Sequence, residues 1–213
     1  MPDNQSFALF LSAAFLLAVT PGPGIFYVLT RSLKGGRWEG YASAGGTAIG
    51  GLIHVIGAAL GLSALLMSSA LAFNIIKYLG AAYLIYLGIR TLLRPDDMTL
   101  EDNTGTRNNR QAFYQGITTE ALNPKTALFY LAFIPQFINP SAPVMPQFIL
   151  LGGVSIFLNG GVDVIVASLA GTIGTLLKRH LLLRRIQRWF TGSSLILLGA
   201  YAGLTGSGER TSK

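Results

Sequence analysis

Long uncharged segments, separated by short clusters of charged residues, dominate the chain. Residues 4–30 contain no charged side chain, and residues 40–76 and 126–162 are uncharged over 37 positions each. A helix that crosses a membrane needs about 20 apolar residues, because it rises about 1.5 Å per residue through a hydrocarbon layer about 30 Å thick. The first segment is long enough for one such helix, and each of the longer two has room for parts of two helices.

This pattern predicts six membrane-spanning helices. Four prolines after the fourth helix predict a loop, because each removes a backbone donor that lipid cannot replace. These are Pro135, Pro140, Pro143 and Pro146. The helices are expected at about 6–28, at 41–62, from the next turn to about 93, up to about 135, from about 147, and at 189–208.

The composition favours an all-α integral membrane protein over a soluble domain. Charged residues make up 12% of the 213 residues, about half of the roughly 25% that soluble proteins contain. The absence of cysteine excludes disulfide scaffolds, thiolate metal sites and cysteine nucleophiles. The two histidines, His54 and His180, lie too far apart to indicate a zinc site, so neither a metal nor another cofactor is predicted.

The net charge of +7 is distributed as membrane topology requires. Twelve of the 16 Lys and Arg residues fall in the loops after the first, third and fifth predicted helices, and the other two loops contain none. Since cytoplasmic loops are enriched in Lys and Arg, these three loops are predicted to face the cytoplasm and both termini the opposite side. A surface that binds nucleic acid would not be divided among three loops, so no nucleic-acid partner is predicted.

The two halves of the chain resemble each other at an offset of 103 residues. Residues 20–28 align with 123–131, with identical Pro, Phe and Tyr, although apolar sequences also match by chance. Each half contains three predicted helices, an odd number, so the halves would insert in opposite orientations. Inverted repeats built around interrupted helices are typical of secondary transporters. The predicted organisation is two inverted three-helix repeats at 1–95 and 111–208, a polar cytoplasmic linker at 96–110, and a mobile tail at 209–213.

Prolines interrupt the first predicted helix at Pro21 and Pro23 and the fourth at Pro124. Each proline leaves the carbonyl four residues earlier without its helical partner, which is costly in lipid unless that carbonyl faces protein, water or a ligand. Gly22 and Gly24 carry no side chain that would keep a ligand from the backbone. The alternative is a pair of kinks that only shape the bundle. The predicted substrate-binding residues are Pro21, Gly22, Pro23, Gly24, Asn123, Pro124 and Lys125.

Three charged residues and a histidine lie within predicted spans: Glu120, Lys125, Asp163 and His54. A charge inside a span costs at least about 2.5–3.5 kcal/mol on insertion scales, so such residues are usually functional. A carboxylate would bind the ammonium group of a zwitterionic substrate, and a cation or a helix N-terminus its carboxylate. Glu120, Asp163 and His54 are the candidate proton-coupling residues. The alternatives are a Glu120–Lys125 ion pair that fixes helix register and a packed, hydrogen-bonded His54. Lys77 is expected to extend its side chain to the membrane surface.

Two GxxxG patterns lie in the second predicted helix, at Gly46 and Gly50 and at Gly57 and Gly61. This pattern lets two helix backbones approach closely, within one chain or between two. A homodimer is therefore one partner hypothesis, beside membrane lipid.

Several of these segments together resemble the LysE/RhtB family of amino-acid efflux proteins. The resemblance lies in Thr20-Pro21-Gly22-Pro23, Arg31-Ser32-Leu33, Gly35-Gly36-Arg37, residues 77–88, Asn123-Pro124-Lys125 and residues 133–137. It covers nearly the whole chain and implies a bacterial inner-membrane protein that exports amino acids or related metabolites by proton antiport. Two residues differ from the family pattern: Gly24 stands where Asn is frequent, and Glu120 where an uncharged polar residue is expected.

The sequence thus predicts a multi-pass secondary transporter that exports an amino acid in exchange for protons by alternating access, with both termini in the periplasm. Protonation of Asp163 or Glu120 would be coupled to substrate release. Non-amino-acid cargo is the alternative within this class. Other classes are an intramembrane enzyme and a non-transporting scaffold. An enzyme is not predicted, since the chain has neither a Gly-x-Ser-x-Gly turn nor a cysteine. A scaffold would have no use for three buried charges.

Overall fold

The computed structural model describes residues 4–68, 70–93, 108–139, 141–179 and 181–204, and all regular structure in these residues is helical. A π-helical turn, Phe129–Phe133, and a 3-10 turn, Ile134–Phe137, extend the short helix α6. The helices are α1 (Asn4–Val19), α2 (Pro23–Gly35), α3 (Arg37–Ser68), α4 (Ala70–Leu93), α5 (Asn109–Ala121), α6 (Pro124–Leu128), α7 (Val144–Arg179) and α8 (Leu181–Leu204). The predicted all-α class is confirmed for the described residues.

Among the described residues, two helices are long and apolar enough to cross a membrane. They lie at Arg37–Gly61 within α3 and at Val144–Gly174 within α7. A third candidate is the pair α1 and α2, which are bent by 45° at the break between them. Length and composition therefore support two or three spans in this part of the chain, where the charge pattern predicts six.

Both predicted helix breaks are present, and each helix restarts at a proline. Gly22 precedes α2 in an extended conformation, and Pro23 occupies the first turn of that helix. In the second half, the Asn123 side chain caps α6 by accepting a hydrogen bond from the N–H of Lys125, and Pro124 begins the helix. A proline in the first turn removes a donor that would have no helical partner there. The structurally equivalent prolines are therefore Pro23 and Pro124. The sequence alignment pairs Pro21 with Pro124 instead, a difference of two residues.

The proline-rich loop is shorter than predicted. Pro135 lies inside the 3-10 turn, and Pro146 lies in the first turn of α7, where a proline costs no helical hydrogen bond. Gln147 stabilises the loop: its Oε1 accepts from the N–H of Asn139 at 2.9 Å, and its Nε2 donates to the carbonyl of Pro143 at 3.0 Å.

Helix α8 begins before the predicted sixth span, at Leu181 instead of residue 189. Residues 181–188 consist of leucine, arginine, isoleucine and glutamine, without glycine or proline, so no residue stops the helix there. The last four residues of the predicted span, residues 205–208, lie outside the described residues. So do the mobile tail at 209–213, residues 96–107 of the linker, and His180.

Lys77 is buried within the protein, whereas the sequence predicted an extended side chain at the surface. It is 2% exposed, and its Nζ lies 5.1 Å from the ring centroid of Tyr78. The aromatic ring next to the ammonium group stabilises it by a cation–π interaction, which offsets part of the cost of burial.

An aromatic core lies between α1, α7 and the extended α6. Its largest members are Phe10, Phe129, Tyr130, Phe133 and Phe148, each almost fully buried. The outer faces of α3 and α7 are instead exposed and apolar, as expected for surfaces that contact lipid. Examples are Ile53, Ile56, Leu60, Phe157, Ile165 and Leu169.

The first GxxxG pattern is used within the chain. A Cβ atom on Gly46 would overlap the carbonyl oxygen of Phe113, and one on Gly50 would lie 2.6 Å from the carbonyl oxygen of Ile117. These glycines therefore allow α3 and α5 to pack backbone against backbone. A Cβ on Gly57 would meet nothing within 4 Å, so the second pattern has no neighbour in the described residues, and the homodimer stays a prediction.

We expect Gly46→Ala to lower the thermal midpoint of the detergent-solubilised protein clearly, because overpacking a tight contact costs about 1–3 kcal/mol. Gly57→Ala is the matched control on the same helix and should leave the midpoint unchanged or raise it, since alanine favours a helix more than glycine does. Equal midpoints for the two variants would contradict the close α3–α5 contact.

Candidate functional site

The three charged residues predicted within spans line one internal cavity. Glu120, Lys125 and Asp163 are 8%, 6% and 5% exposed, and they come from α5, α6 and α7. The rest of the lining combines polar side chains with apolar ones. These include Thr47, Thr126, Asn159, Ile25, Ile156 and Tyr130. The cavity has a volume of about 20 Å³, room for about one water molecule. A larger ligand therefore requires the surrounding helices to move apart.

The carboxylate of Glu120 is held by two donors from the far side of its own helix break. Its Oε1 accepts from the hydroxyl of Thr126 at 2.6 Å, and its Oε2 accepts from the amide of Asn123 at 2.9 Å. A Cβ on Gly24 would lie 2.6 Å from the same Oε2. The missing side chain thus lets the carboxylate approach the first turn of α2, where unpaired N–H groups and the helix dipole favour negative charge.

Lys125 forms no direct ion pair with Glu120, so the structure does not contain the register-fixing pair that was the alternative to a functional role. Its Nζ donates to the backbone carbonyls of Thr20 at 2.8 Å and of Leu17 at 3.2 Å, at the end of α1. The carbonyl of Leu17 is the one that Pro21 deprives of its helical donor. The C-terminus of α1 attracts a cation through these carbonyls and its dipole, while Glu120 is already satisfied by neutral donors.

His54 closes the second break in the same way. Its Nε2 lies 2.8 Å from the backbone carbonyl of Glu120, the carbonyl that Pro124 deprives of its helical donor. Since a carbonyl only accepts, Nε2 carries the hydrogen. The ring stacks on Tyr130, with centroids 6.1 Å apart. His54 is not among the residues that line the cavity. Each broken helix therefore receives a side-chain donor from the other half of the chain.

Asp163 faces the same cavity from α7. Its Oδ2 accepts a hydrogen bond from the hydroxyl of Thr47 on α3 at 2.7 Å. Neither Thr47 nor Thr126 was singled out in the sequence, because a threonine in an apolar helix gives no signal of its own. Their partners lie 116 and six residues away, so the first contact in particular depends on how the helices pack.

A small apolar cluster lies about one helical turn away from the cavity residues. Val28, Ala44 and Ala167, from α2, α3 and α7, pack together and are almost fully buried. Each lies about one helical turn from a cavity residue on its own helix, and Ala167 follows Asp163 by four positions.

A polar network lies beyond this cluster. The guanidinium of Arg31 contacts the carboxylate of Glu39 at 3.5 Å and donates to Gln115 at 2.8 Å, which connects α2, α3 and α5. Glu39 is 1% exposed and also accepts the backbone N–H of Asn108, which precedes α5. The sequence showed Arg31 only as a topological charge. The sequence signal for its partner, Glu39, was the presence of an acidic residue in a loop of basic residues.

The cavity brings together groups of opposite charge and several neutral polar groups. Two carboxylates and one ammonium group face one space, together with hydroxyl and amide groups. In the part of the chain that the structure describes, no group of three or more His, Asp or Glu side chains is arranged to hold a metal ion.

The motifs at both helix breaks connect this cavity to a known family. The sequence matches the LysE type translocator family over residues 15–206. The chain belongs to the LysE family. The chain is 34% identical over 191 residues to the homoserine/homoserine lactone efflux protein of Salmonella typhimurium, with 90% of this chain and 92% of that protein covered. The protein of the same name from Salmonella typhi is 33% identical over the same lengths.

A third relative is an uncharacterized membrane protein of Vibrio cholerae, 28% identical over 204 residues that cover 94% of this chain and all of that protein. No solved structure matches the chain. The family resemblance seen in the sequence is confirmed: the chain belongs to a family of membrane transporters, and its described residues contain two or three segments apolar and long enough to cross a membrane.

Proposed function

We propose that this protein exports an amino acid or a closely related metabolite from the bacterial cytoplasm in exchange for protons, by alternating access across the inner membrane. One observation carries the proposal: two carboxylates and an ammonium group are buried in one cavity without pairing with each other. Charges that only stabilise a fold are expected to pair, because an unpaired buried charge is costly. The two Salmonella relatives, which are homoserine/homoserine lactone efflux proteins, make homoserine and its lactone the first compounds to test.

The order of the elements supports six spans arranged as two inverted three-helix repeats. The first half begins with α1, of 16 residues, and the second with α5, of 13 residues. Each of these helices ends at a break, after which a new helix begins at a proline. In both halves a helix of more than 30 residues and then one of 24 residues follow. Helix α3 packs against α7 and α4 against α8, so equivalent elements of the two halves meet, as elements close to a twofold axis would. Residues 1–95 and 111–208 are the proposed repeats, with the basic loops in the cytoplasm and both termini in the periplasm.

In the proposed mechanism, the ammonium group of the substrate approaches Glu120 and Asp163. Its polar end approaches the first turn of α2 at Gly24, where N–H groups are available. Protonation of a carboxylate then weakens its hold on the ammonium group and releases the substrate outside. The Val28 cluster and the Arg31 network close the proposed cytoplasmic end, so both must open when cytoplasmic substrate enters.

The first experiment measures amino-acid release from cells fed with dipeptides, with and without the protein, by mass spectrometry of the medium. We expect faster release of one or a few amino acids when the protein is present. A membrane-inserted protein that changes no component of the profile would contradict amino-acid export and favour other cargo.

Gly24→Ala should reduce export at least about tenfold, because the new methyl group would lie against the carboxylate of Glu120 and displace it by a large fraction of an ångström. Gly160→Ala is the matched control: Gly160 lines the same cavity, but a Cβ there meets nothing within 4 Å. Export rates, normalised to the amount of protein in the membrane, distinguish the two. Equal loss in both variants would argue against the role of Gly24.

A further inference from the structure

The net charge of the side chains that line the cavity restricts the class of substrate that can bind there. Of the residues that line it, Glu120 and Asp163 are acidic and Lys125 is basic, while the others are neutral. The ammonium group of Lys125 donates hydrogen bonds to the backbone carbonyls of Leu17 and Thr20 at the C-terminal end of α1, and it forms no direct ion pair with either carboxylate. With these three side chains ionised, the cavity has one more negative than positive charge, and neither carboxylate forms a direct ion pair with a cation of the described residues.

Both carboxylates have spare capacity to accept hydrogen bonds. A carboxylate has about four acceptor positions. Glu120 uses two of them, and Asp163 uses one, for Thr47. The second oxygen of Asp163 receives no hydrogen bond from any described residue and belongs to a side chain that lines the cavity. An ammonium group, with its three donors, fits this arrangement of acceptors.

We propose that the preferred substrate is a compact monocation: a primary ammonium compound whose carboxyl group is absent or masked, as in an amino-acid lactone, ester or amide. This inference rests on the proposed export function and narrows its substrate class. One monocation neutralises the excess charge of the cavity, and so does one proton. Exchange of one for the other keeps the buried charge constant, which avoids the cost of moving a net charge through the membrane.

A zwitterion fits less well because its carboxylate needs a partner of its own. Lys125 would have to leave the carbonyls of Leu17 and Thr20, which are at a broken helix end and would lose their side-chain donor. The first turn of α2 already has the carboxylate of Glu120 beside it. Ile25 and Ile156 instead present apolar surface, which suits an uncharged lactone ring, ester or amide group better than a carboxylate.

The test compares matched compounds with the full-length protein in liposomes. L-homoserine, its lactone and its amide compete for counterflow of the labelled amide at a pH at which the amide is protonated and the lactone does not hydrolyse. We expect the two cations to compete at concentrations at least about tenfold lower than the zwitterion, the ratio that corresponds to 1.4 kcal/mol. Exchange of the cation for a proton should also not respond to an imposed membrane potential, because it moves no net charge.

Variants change the charge of the cavity in both directions. Asp163→Asn removes one negative charge and should abolish the preference for the cation, while Asn159→Asp adds one and should strengthen it. Arg110→Gln changes the net charge equally at an exposed position on α5 and should leave the preference unchanged. If Asp163→Asn fails to fold, Asn159→Asp still gives a clear result.

The outcomes distinguish the inference about the substrate from the proposed export function. If homoserine competes as well as its amide, the inference about the cation is wrong and the export function stands. If none of the three compounds exchanges while the protein is correctly inserted, the inference fails. The proposed export function fails as well only if dipeptide-fed cells also release no amino acid faster.

Discussion

Glu120→Gln and Asp163→Asn are each expected to abolish proton-driven export while the protein still inserts into the membrane. Both substitutions keep the size of the side chain but remove the group that takes up a proton. Asn at position 163 can still accept the hydrogen bond of Thr47, and Gln at position 120 can keep both neighbours if the hydroxyl of Thr126 rotates to accept. The fold should therefore survive both substitutions.

The measurement is export of the identified substrate against an imposed proton gradient, alongside exchange of substrate without a gradient. Loss of the gradient response with retained exchange identifies a proton-coupling carboxylate. Full gradient-driven export in both variants would exclude the carboxylates from coupling. His54→Gln is an informative companion, because His54 lies at the α5 break and not in the cavity lining. We expect it to lower stability more than coupling.

Lys125→Met should reduce export at least about tenfold and also destabilise the protein. The thioether side chain has nearly the same length but cannot donate to Leu17 and Thr20, and hydrogen bonds to a charged group contribute about 1.5–3 kcal/mol each. Lys125→Arg keeps the charge but brings a larger, planar group next to Gly22, so it should recover only part of the activity.

Export rate and thermal midpoint in detergent are measured on the same preparations. Lys34→Met, in the last turn of α2, is the matched control, since it removes an equal charge outside the cavity. Normal export by Lys125→Met would show that the contact between α6 and α1 is dispensable. A lower midpoint with normal export would assign Lys125 a structural role alone.

The helix breaks were predictable because the effect of a proline is local. Pro21 and Pro124 each lack an N–H, so the carbonyls of Leu17 and Glu120 needed other donors wherever the rest of the chain lay. The identity of those donors was not predictable. Glu120 and Lys125 are close in sequence and opposite in charge, which favoured an ion pair, yet the ammonium group is bound by a helix end more than 100 residues away.

The polar contacts across the cavity show the same limit. Asp163 was recognisable as a candidate because a carboxylate in an apolar segment is unusual. Its partner Thr47 lies 116 residues earlier, and only the packing of α3 on α7 brings the two together. Glu39 could have been noticed as an acid among basic residues. Its contact with Arg31 depends on the turn between α2 and α3.

The exchange of donors between the halves has a consequence for biogenesis. Lys125 from the second half donates hydrogen bonds to the carbonyls at the end of α1, and His54 from the first half donates one to the carbonyl of Glu120 at the end of α5. Neither half contains the side chain that completes its own interrupted helix. When only the first half has been synthesised, the carbonyls at the end of α1 therefore lack the hydrogen bonds that Lys125 provides in the complete protein. The hydrogen bonds from Lys125 to the end of α1 can form only after α6 has been synthesised.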